Sequence, residues 1–114
     1  MWIYCKYGFF SVVEHKDYKD KLLVRSRFKG DIEKLLCHCG LDDVCQTVKE
    51  TPFADYAFRV VISRGALAKI MKRVSEEIDY HNFKDEVHEG NGSSRDSAYM
   101  NCWFAMRDAQ NRSL

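Results

Sequence analysis

The order in which apolar and polar side chains follow one another divides this chain into short periodic segments. Residues 3–13 are aromatic and β-branched, a composition that suits a pleated strand, and Gly8 in their midst predicts a β-bulge. A polar connection over 15–20 leads into 22–28, where Leu22, Val24, Ser26 and Phe28 alternate with Leu23, Arg25 and Arg27. That period of two is a half-buried strand. Ile32, Leu35, Leu36 and Cys39 then recur at helical spacing, and Gly40 stops the short helix predicted over 31–39. A weak strand is read over 44–49 and a stronger one over 55–62, with Tyr56, Phe58, Val60 and Ile62 on one face and Ala57, Arg59 and Val61 on the other. Ser63 caps the next helix, whose buried stripe is Leu67, Ile70, Met71, Val74 and Ile78. Tyr80, Phe83 and Val87 mark a further turn or short helix. The stretch Glu89-Gly90-Asn91-Gly92-Ser93-Ser94 reads as a flexible loop. Ser93 with Asp96 resembles a capping box for a last helix carrying Tyr99, Cys102, Trp103 and Met106 on its apolar stripe.

The predicted order is β-β-α-β-β-α plus a C-terminal helix. Helices that follow strands two and four cover only one sheet face, which gives an α+β two-layer sandwich with a four-stranded antiparallel sheet. Moving the first strand to the chain end would give β-α-β-β-α-β, so the expected topology is a permuted ferredoxin-like one. The last helix has three open placements: across the bare sheet face, alongside the helical layer, or on a second subunit. If Trp103 docks it onto the body, Trp103→Ala should cost roughly 3 to 5 kcal/mol.

Composition narrows the class. With 114 residues, 46% hydrophobic and 31% charged, the chain is expected to form one globular domain, residues 1–114, with a core that needs neither metal nor disulfide. The formal charge is only +1, which argues against a protein that acts mainly by blanketing phosphate or anionic lipid. The charge is nevertheless blocky: +4 over 1–30, −4 over 31–57, +3 over 58–84 and −2 over 85–114. This points to a polarised surface. No export leader or membrane span is expected, because Lys6 interrupts the first apolar run and no long apolar run follows. Five cysteines, an odd number, are expected as reduced thiols in the cytoplasm.

Met1-Trp2-Ile3 followed by Gly8-Phe9-Phe10-Ser11, the strand Asp55-Tyr56-Ala57-Phe58-Arg59, the segment Asp79-Tyr80-His81-Asn82-Phe83-Lys84 and a late Trp103 carry a family resemblance. Over nearly its whole length the chain resembles a family of small uncharacterised bacterial proteins. The resemblance implies a bacterial single-domain protein and supplies no mechanism. The segment holding Cys37, His38, Cys39 and Cys45 is not part of it.

Three groups of residues have the types that chemistry uses. Cys37, His38, Cys39 and Cys45 offer soft ligands, but the Cys-x-x-Cys knuckle is absent and successive helical residues diverge by about 100°. They are read as a buried cysteine with surface neighbours, with no metal and no cofactor. Asp79, Tyr80, His81, Asn82 and Lys84 bring an imidazole, a carboxylate and an amine within two helical turns, which suits acid-base work or an anionic ligand. The alternative for them is to cap and end a helix while Tyr80 and Phe83 dock the tail. Arg25, Arg27 and Arg59 share the strand face opposite the core, where Tyr7 or Phe9 would join them. Arginines beside aromatics on an open sheet are what single-stranded RNA readers use, although the Lys/Arg-Gly-Phe/Tyr-x-Phe sequence of RNA-recognition motifs is absent. The same arginines would grip a small phosphorylated or carboxylated ligand, or simply pair with nearby carboxylates.

These readings order the functions. The expectation is a non-enzymatic binding or regulatory module that meets a protein partner or a second copy of itself, with no membrane contact and no assigned catalytic residue. The alternative is RNA or anionic-ligand binding through Arg25, Arg27 and Arg59, and an enzyme using the Asp79 to His81 region ranks last. The tentative ligand-binding set is Arg25, Arg27, Arg59, Tyr80, His81, Asn82 and Lys84.

Overall fold

The aromatic N-terminal segment does not run as one strand. In the computed structural model, which describes residues 1–91 and 93–114, β1 (Trp2–Cys5) and β2 (Gly8–Glu14) pair antiparallel, with Tyr4 opposite Phe9 and Cys5 opposite Gly8. Lys6 and Tyr7 make the reversal. Two-residue hairpin turns usually place positive φ in the turn itself; here neither Lys6 nor Tyr7 has one, and Gly8 takes it instead at φ +142°. The glycine that predicts a bulge is therefore the exit of a hairpin. The expected four-stranded sheet is corrected to five strands for this reason.

The sheet continues with β3 (Lys21–Ser26), β4 (Lys49–Glu50) and β5 (Phe58–Ser63) in the order β1-β2-β3-β5-β4, every neighbouring pair antiparallel. α1 (Asp31–His38) follows β3 and ends at Gly40, whose φ of +71° is the left-handed stop that the sequence predicts. The strand expected over 44–49 is corrected. Residues 42–45 form the one-turn helix α2 (Asp42–Cys45), and only Lys49 and Glu50 pair as strand. Val44 and Val48, which give this stretch its β-like composition, pack against the core, Val44 from α2 and Val48 from irregular backbone. α3 (Arg64–Glu76) begins where expected, with the Ser63 hydroxyl accepting from the Ala66 amide at 3.0 Å.

One face of the sheet is buried. Phe10, Val12, Leu22, Val24, Phe58, Val60 and Ile62 meet Ile32, Leu35 and Leu36 of α1 and Ile70 of α3. The architecture is α+β with an antiparallel sheet. Met71 and Ile78, expected on the buried stripe of α3, are exposed, and Ile78 lies beyond the helix end. Tyr56 also departs from expectation: β5 starts only at Phe58, so the alternation does not extend back to it.

By its contacts the chain divides into two compact units, Met1–Ile78 and Asp79–Leu114. The second consists of α4 (Phe83–Asn91) and α5 (Ser93–Ser113). Residues 89–91 are helical where a flexible loop is expected, and Gly92 and the Ser93 side chain lie outside the described residues. Phe83 stacks on Tyr99 at 6.0 Å, and the Trp103 ring is clasped by Lys84 and Arg107 at 4.6 and 5.2 Å. Trp103 itself is 45% exposed and Cys102 and Met106 are exposed. Its expected core role is therefore corrected, and Trp103→Ala should cost about 1 kcal/mol, the worth of surface cation–π contacts, rather than 3 to 5. Among the described residues no helix is long and apolar enough to cross a membrane.

The hairpin makes a sharp prediction. A side chain at Gly8 would overlap the carboxylate of Asp31, which is fully buried at the start of α1, and would also require a φ that L residues resist. Gly30 has φ +88° but open space around it. Urea melts should show Gly8→Ala losing roughly 2 to 4 kcal/mol and Gly30→Ala about 1 kcal/mol. Equal losses would mean that backbone strain alone, and not the closeness of Asp31, sets the cost.

Candidate nucleic-acid interface

Strand register turns the open face into a set of cross-strand rows. Trp2 lies opposite Ser11, Ser11 opposite Arg25, Arg25 opposite Arg59, and Arg59 opposite Lys49. One row therefore crosses all five strands and carries three cations. The row above it holds Tyr4 and Phe9, stacked at 4.5 Å, with Trp2 edge-on to Phe9 at 5.9 Å. The row below is Val13, Leu23 and Val61. Trp2 is 69% exposed, and Val13 and Val61 are exposed too.

Tyr56 organises the middle of this face. Its ring is almost fully buried, and the guanidinium of Arg25 lies over it at 4.6 Å and that of Arg27 at 4.2 Å, with Phe9 at 6.4 Å. Arg25 donates to the Ser11 hydroxyl at 2.9 Å. Arg59 donates to the Thr51 hydroxyl at 3.1 Å and to the Tyr56 carbonyl at 3.2 Å. All of these acceptors are neutral. Among the described residues Arg25, Arg59 and Lys49 form no ion pair, whereas Arg27 pairs with Asp55 at 3.3 Å. The Nε of Arg25 is buried without a hydrogen-bond partner. Beside the row, an open groove of about 630 Å³ is lined by Val13, Leu23 and Val61 and by both signs of charge, Lys16, Lys49 and Arg59 with Glu14 and Asp17.

Of the sequence-predicted residues, Arg25, Arg27 and Arg59 are thus brought together, and Phe9 joins them as expected. Tyr7 does not. It sits at the hairpin tip, where its hydroxyl donates to Glu77 Oε2 at 2.5 Å. Glu77 follows α3 and also bonds His38 Nε2 at 2.5 Å and Arg73 Nε at 2.8 Å, with Lys6 Nζ at 3.6 Å. Burial raises the Glu77 carboxyl, but the hydrogen bonds from Tyr7, His38 and Arg73 outweigh it and hold the group down to about 2. Burial and the Glu77 contact push the Tyr7 phenol well above its ordinary value. A general acid or base works best with a pKa near the operating pH, so these shifts make a lock between elements, not a proton-transfer pair.

Tyr80, His81, Asn82 and Lys84 belong to the second unit. Asn82 precedes α4 and its side chain accepts from the Asp85 amide at 3.3 Å, a helix cap. Tyr80 faces Phe83 at 6.1 Å, Lys84 lies over Trp103, and His81 is exposed. Cys39 is buried while Cys37 is exposed, and among the described residues no three His, Cys, Asp or Glu side chains converge as a metal requires. Tyr56, Trp2, Tyr4 and Lys49 were not among the residues singled out for the open face. Only Tyr56 and Trp2 carried a signal, as parts of the aromatic motifs flanking the arginine strands. No family model, curated protein or solved structure matches the chain.

The Glu77 lock sets the acid stability. Its carboxyl is depressed in the fold, so its contribution is complete above about pH 4.5, the ordinary value, and is lost as pH falls toward about 2. Urea midpoints measured between pH 7 and 2 should fall across that window, and Glu77→Gln should be weaker at pH 7 and show a flatter slope below 4.5. A slope unchanged in the variant would place the acid-labile group elsewhere.

Proposed function

We propose that this chain is a small non-enzymatic binding module that takes single-stranded nucleic acid on the open face of its sheet. The observation that carries the reading is the cross-strand row Trp2-Ser11-Arg25-Arg59-Lys49. Like charges directly opposite one another on a sheet destabilise it, and Arg25 and Arg59 are opposite each other with no ion pair to either among the described residues. A structural arginine would ordinarily be paired. Next to these cations stand Trp2, Tyr4 and Phe9, and base–aromatic stacking contributes about 1 to 3 kcal/mol per base in single-strand binders. The arginine planes held over Tyr56 add cation–π character without losing their outward donors.

The fold supports the reading. Setting β1 aside, the order β2-β3-β5-β4 is what a ferredoxin-like sandwich gives when its last strand is moved to the front, and an open four-stranded sheet is the stacking surface of RNA-recognition motifs. The near-neutral total charge agrees with a binder that relies on stacking and a few phosphate contacts. A cytoplasmic location in a bacterium follows from the reduced thiols and the family resemblance, and remains part of the proposal.

Fluorescence anisotropy with labelled oligouridylate and oligodeoxythymidylate decides it. The expected result is micromolar binding whose logarithm falls linearly with log salt, with a slope of about −0.7 per phosphate contacted. Trp2→Ala should weaken binding about 5- to 150-fold at every salt concentration. Arg25→Gln with Arg59→Gln should flatten the slope by about 1.4 and lower the melting temperature by only a few degrees, since the repulsion removed partly offsets the bonds lost to Ser11, Thr51 and Tyr56. A second reading has the exposed Val13, Val61 and groove in its favour: the face meets an apolar protein surface, of a partner or of a second copy. No oligonucleotide binding, or binding insensitive to Trp2 and both arginines, would overturn the nucleic-acid reading in favour of that one.

A further inference from the structure

Away from the open sheet face, two thiols stand in contact. Cys37 lies in the last turn of α1 and Cys45 ends α2, and their Sγ atoms are 3.2 Å apart. A disulfide bond is about 2.05 Å long, so closing the pair needs a shift of about 1 Å shared between a side chain on a helix end and one on a single-turn helix. Both positions can move that far. The two differ in access: Cys37 is exposed, whereas Cys45 is half-buried and packs against the core, with the Glu33 carbonyl at 3.8 Å. An exposed thiol with a second thiol behind it is the arrangement that converts an encounter with an oxidant into an internal bond.

The geometry points to Cys37 and Cys45 as a reversible dithiol–disulfide pair that reacts with small-molecule disulfides. Cys37, as thiolate, attacks one sulfur of the small disulfide; a protein–ligand S–S bond forms, the original S–S bond breaks, and one small thiolate leaves. Cys45, as thiolate, then attacks the Cys37 sulfur, the internal bond forms, and the second small thiolate leaves. The protons given up by the two cysteines end on the two small thiols. Two protein thiols are oxidised and one small disulfide is reduced.

Cys37 donates to Cys45, and that hydrogen bond, with the carboxylate of Asp42 nearby, pushes the Cys37 thiol up to about 11. The pair therefore rests as the protonated dithiol at neutral pH, and because the thiolate is the attacking species the exchange is slow there and quickens as pH rises. The bond would tie α2 to α1. Because α2 leads directly into the edge strand β4, the loop over 46–48 would be anchored at its start. Cys5 and Cys39 are buried and take no part.

The test uses the whole protein with Cys102→Ser, which removes the other exposed thiol. Glutathione disulfide is added in modest excess, free thiols are alkylated, and intact mass and peptide maps are read without reduction. The expected product is a monomer lighter by two hydrogens, with Cys37 and Cys45 in one linked peptide pair, reversed by dithiothreitol. Its melting temperature should be higher by roughly 5 to 10 °C, since the short closed loop restricts the unfolded chain. Cys45→Ser should stop at a stable glutathione adduct on Cys37. A glutathione adduct that persists on Cys37 in the parent, full alkylation of both thiols after exposure, or a link through Cys5 or Cys39 would each overturn the assignment. The parent peptide map settles the matter even if a serine variant folds poorly.

Discussion

A two-residue reversal at Lys6 and Tyr7 decides which side chains this molecule shows to solvent. By folding the aromatic N-terminal segment back on itself, it pairs Tyr4 with Phe9 and Trp2 with Ser11, and so gathers three rings at one edge of the open face. The same turn aims Tyr7 the other way, toward Glu77. A continuous strand through residue 13 would have placed Trp2 and Tyr4 far from the arginines, beyond the reach of one bound nucleotide strand. The reversal depends on Gly8, because its φ of +142° and its contact with the buried Asp31 leave no room for a side chain. A single backbone position thus ties the start of α1, the hairpin and the candidate binding surface together.

Glu77 completes that arrangement from the helical side. It accepts from the hairpin tip through Tyr7, from the end of α1 through His38, and from α3 through Arg73. Three donors on one carboxylate offset the cost of its partial burial, and each comes from a different element, so losing the carboxylate loosens all three at once. On the proposed reading, rigidity here serves the opposite face. Stacking surfaces bind well when the rings are already in place, because ordering them on binding would consume part of the interaction free energy.

How much of this was legible follows the range of the interactions. The alternation read over 22–28 and 55–62 and the Ser63 cap are local patterns, and they placed β3, β5 and α3 to within two or three residues at their ends. The outward position of Arg25 and Arg59 was legible for the same reason. That they face each other was not, since register between strands far apart in sequence depends on the connection between them. Gly8 was noticed, but Lys6-Tyr7 is no standard turn dipeptide, and a bulge was the cheaper reading. Tyr56 falls on the face of Phe58, Val60 and Ile62 only if the β5 alternation runs back to residue 55, and irregular backbone before Phe58 breaks that period. The Glu77 lock joins residues 70 and 39 positions apart, and no periodicity within a window reports such a pair.

On the proposed reading, the cation row lets a chain with a formal charge of +1 favour an anion. Net charge governs long-range attraction, but within a Debye length of about 8 Å the local arrangement dominates. Arg25, Arg59 and Lys49 stand on adjacent strands about 4.8 Å apart, close enough to act on one or two phosphates together, and the neutral partners of Arg25 and Arg59 hold those two side chains in place without cancelling their charge. The repulsion among them is a standing cost in the free protein, on the order of a few tenths of a kcal/mol per pair. A phosphate placed over the row removes that cost as it binds. On that reading binding draws on a tension already built into the sheet.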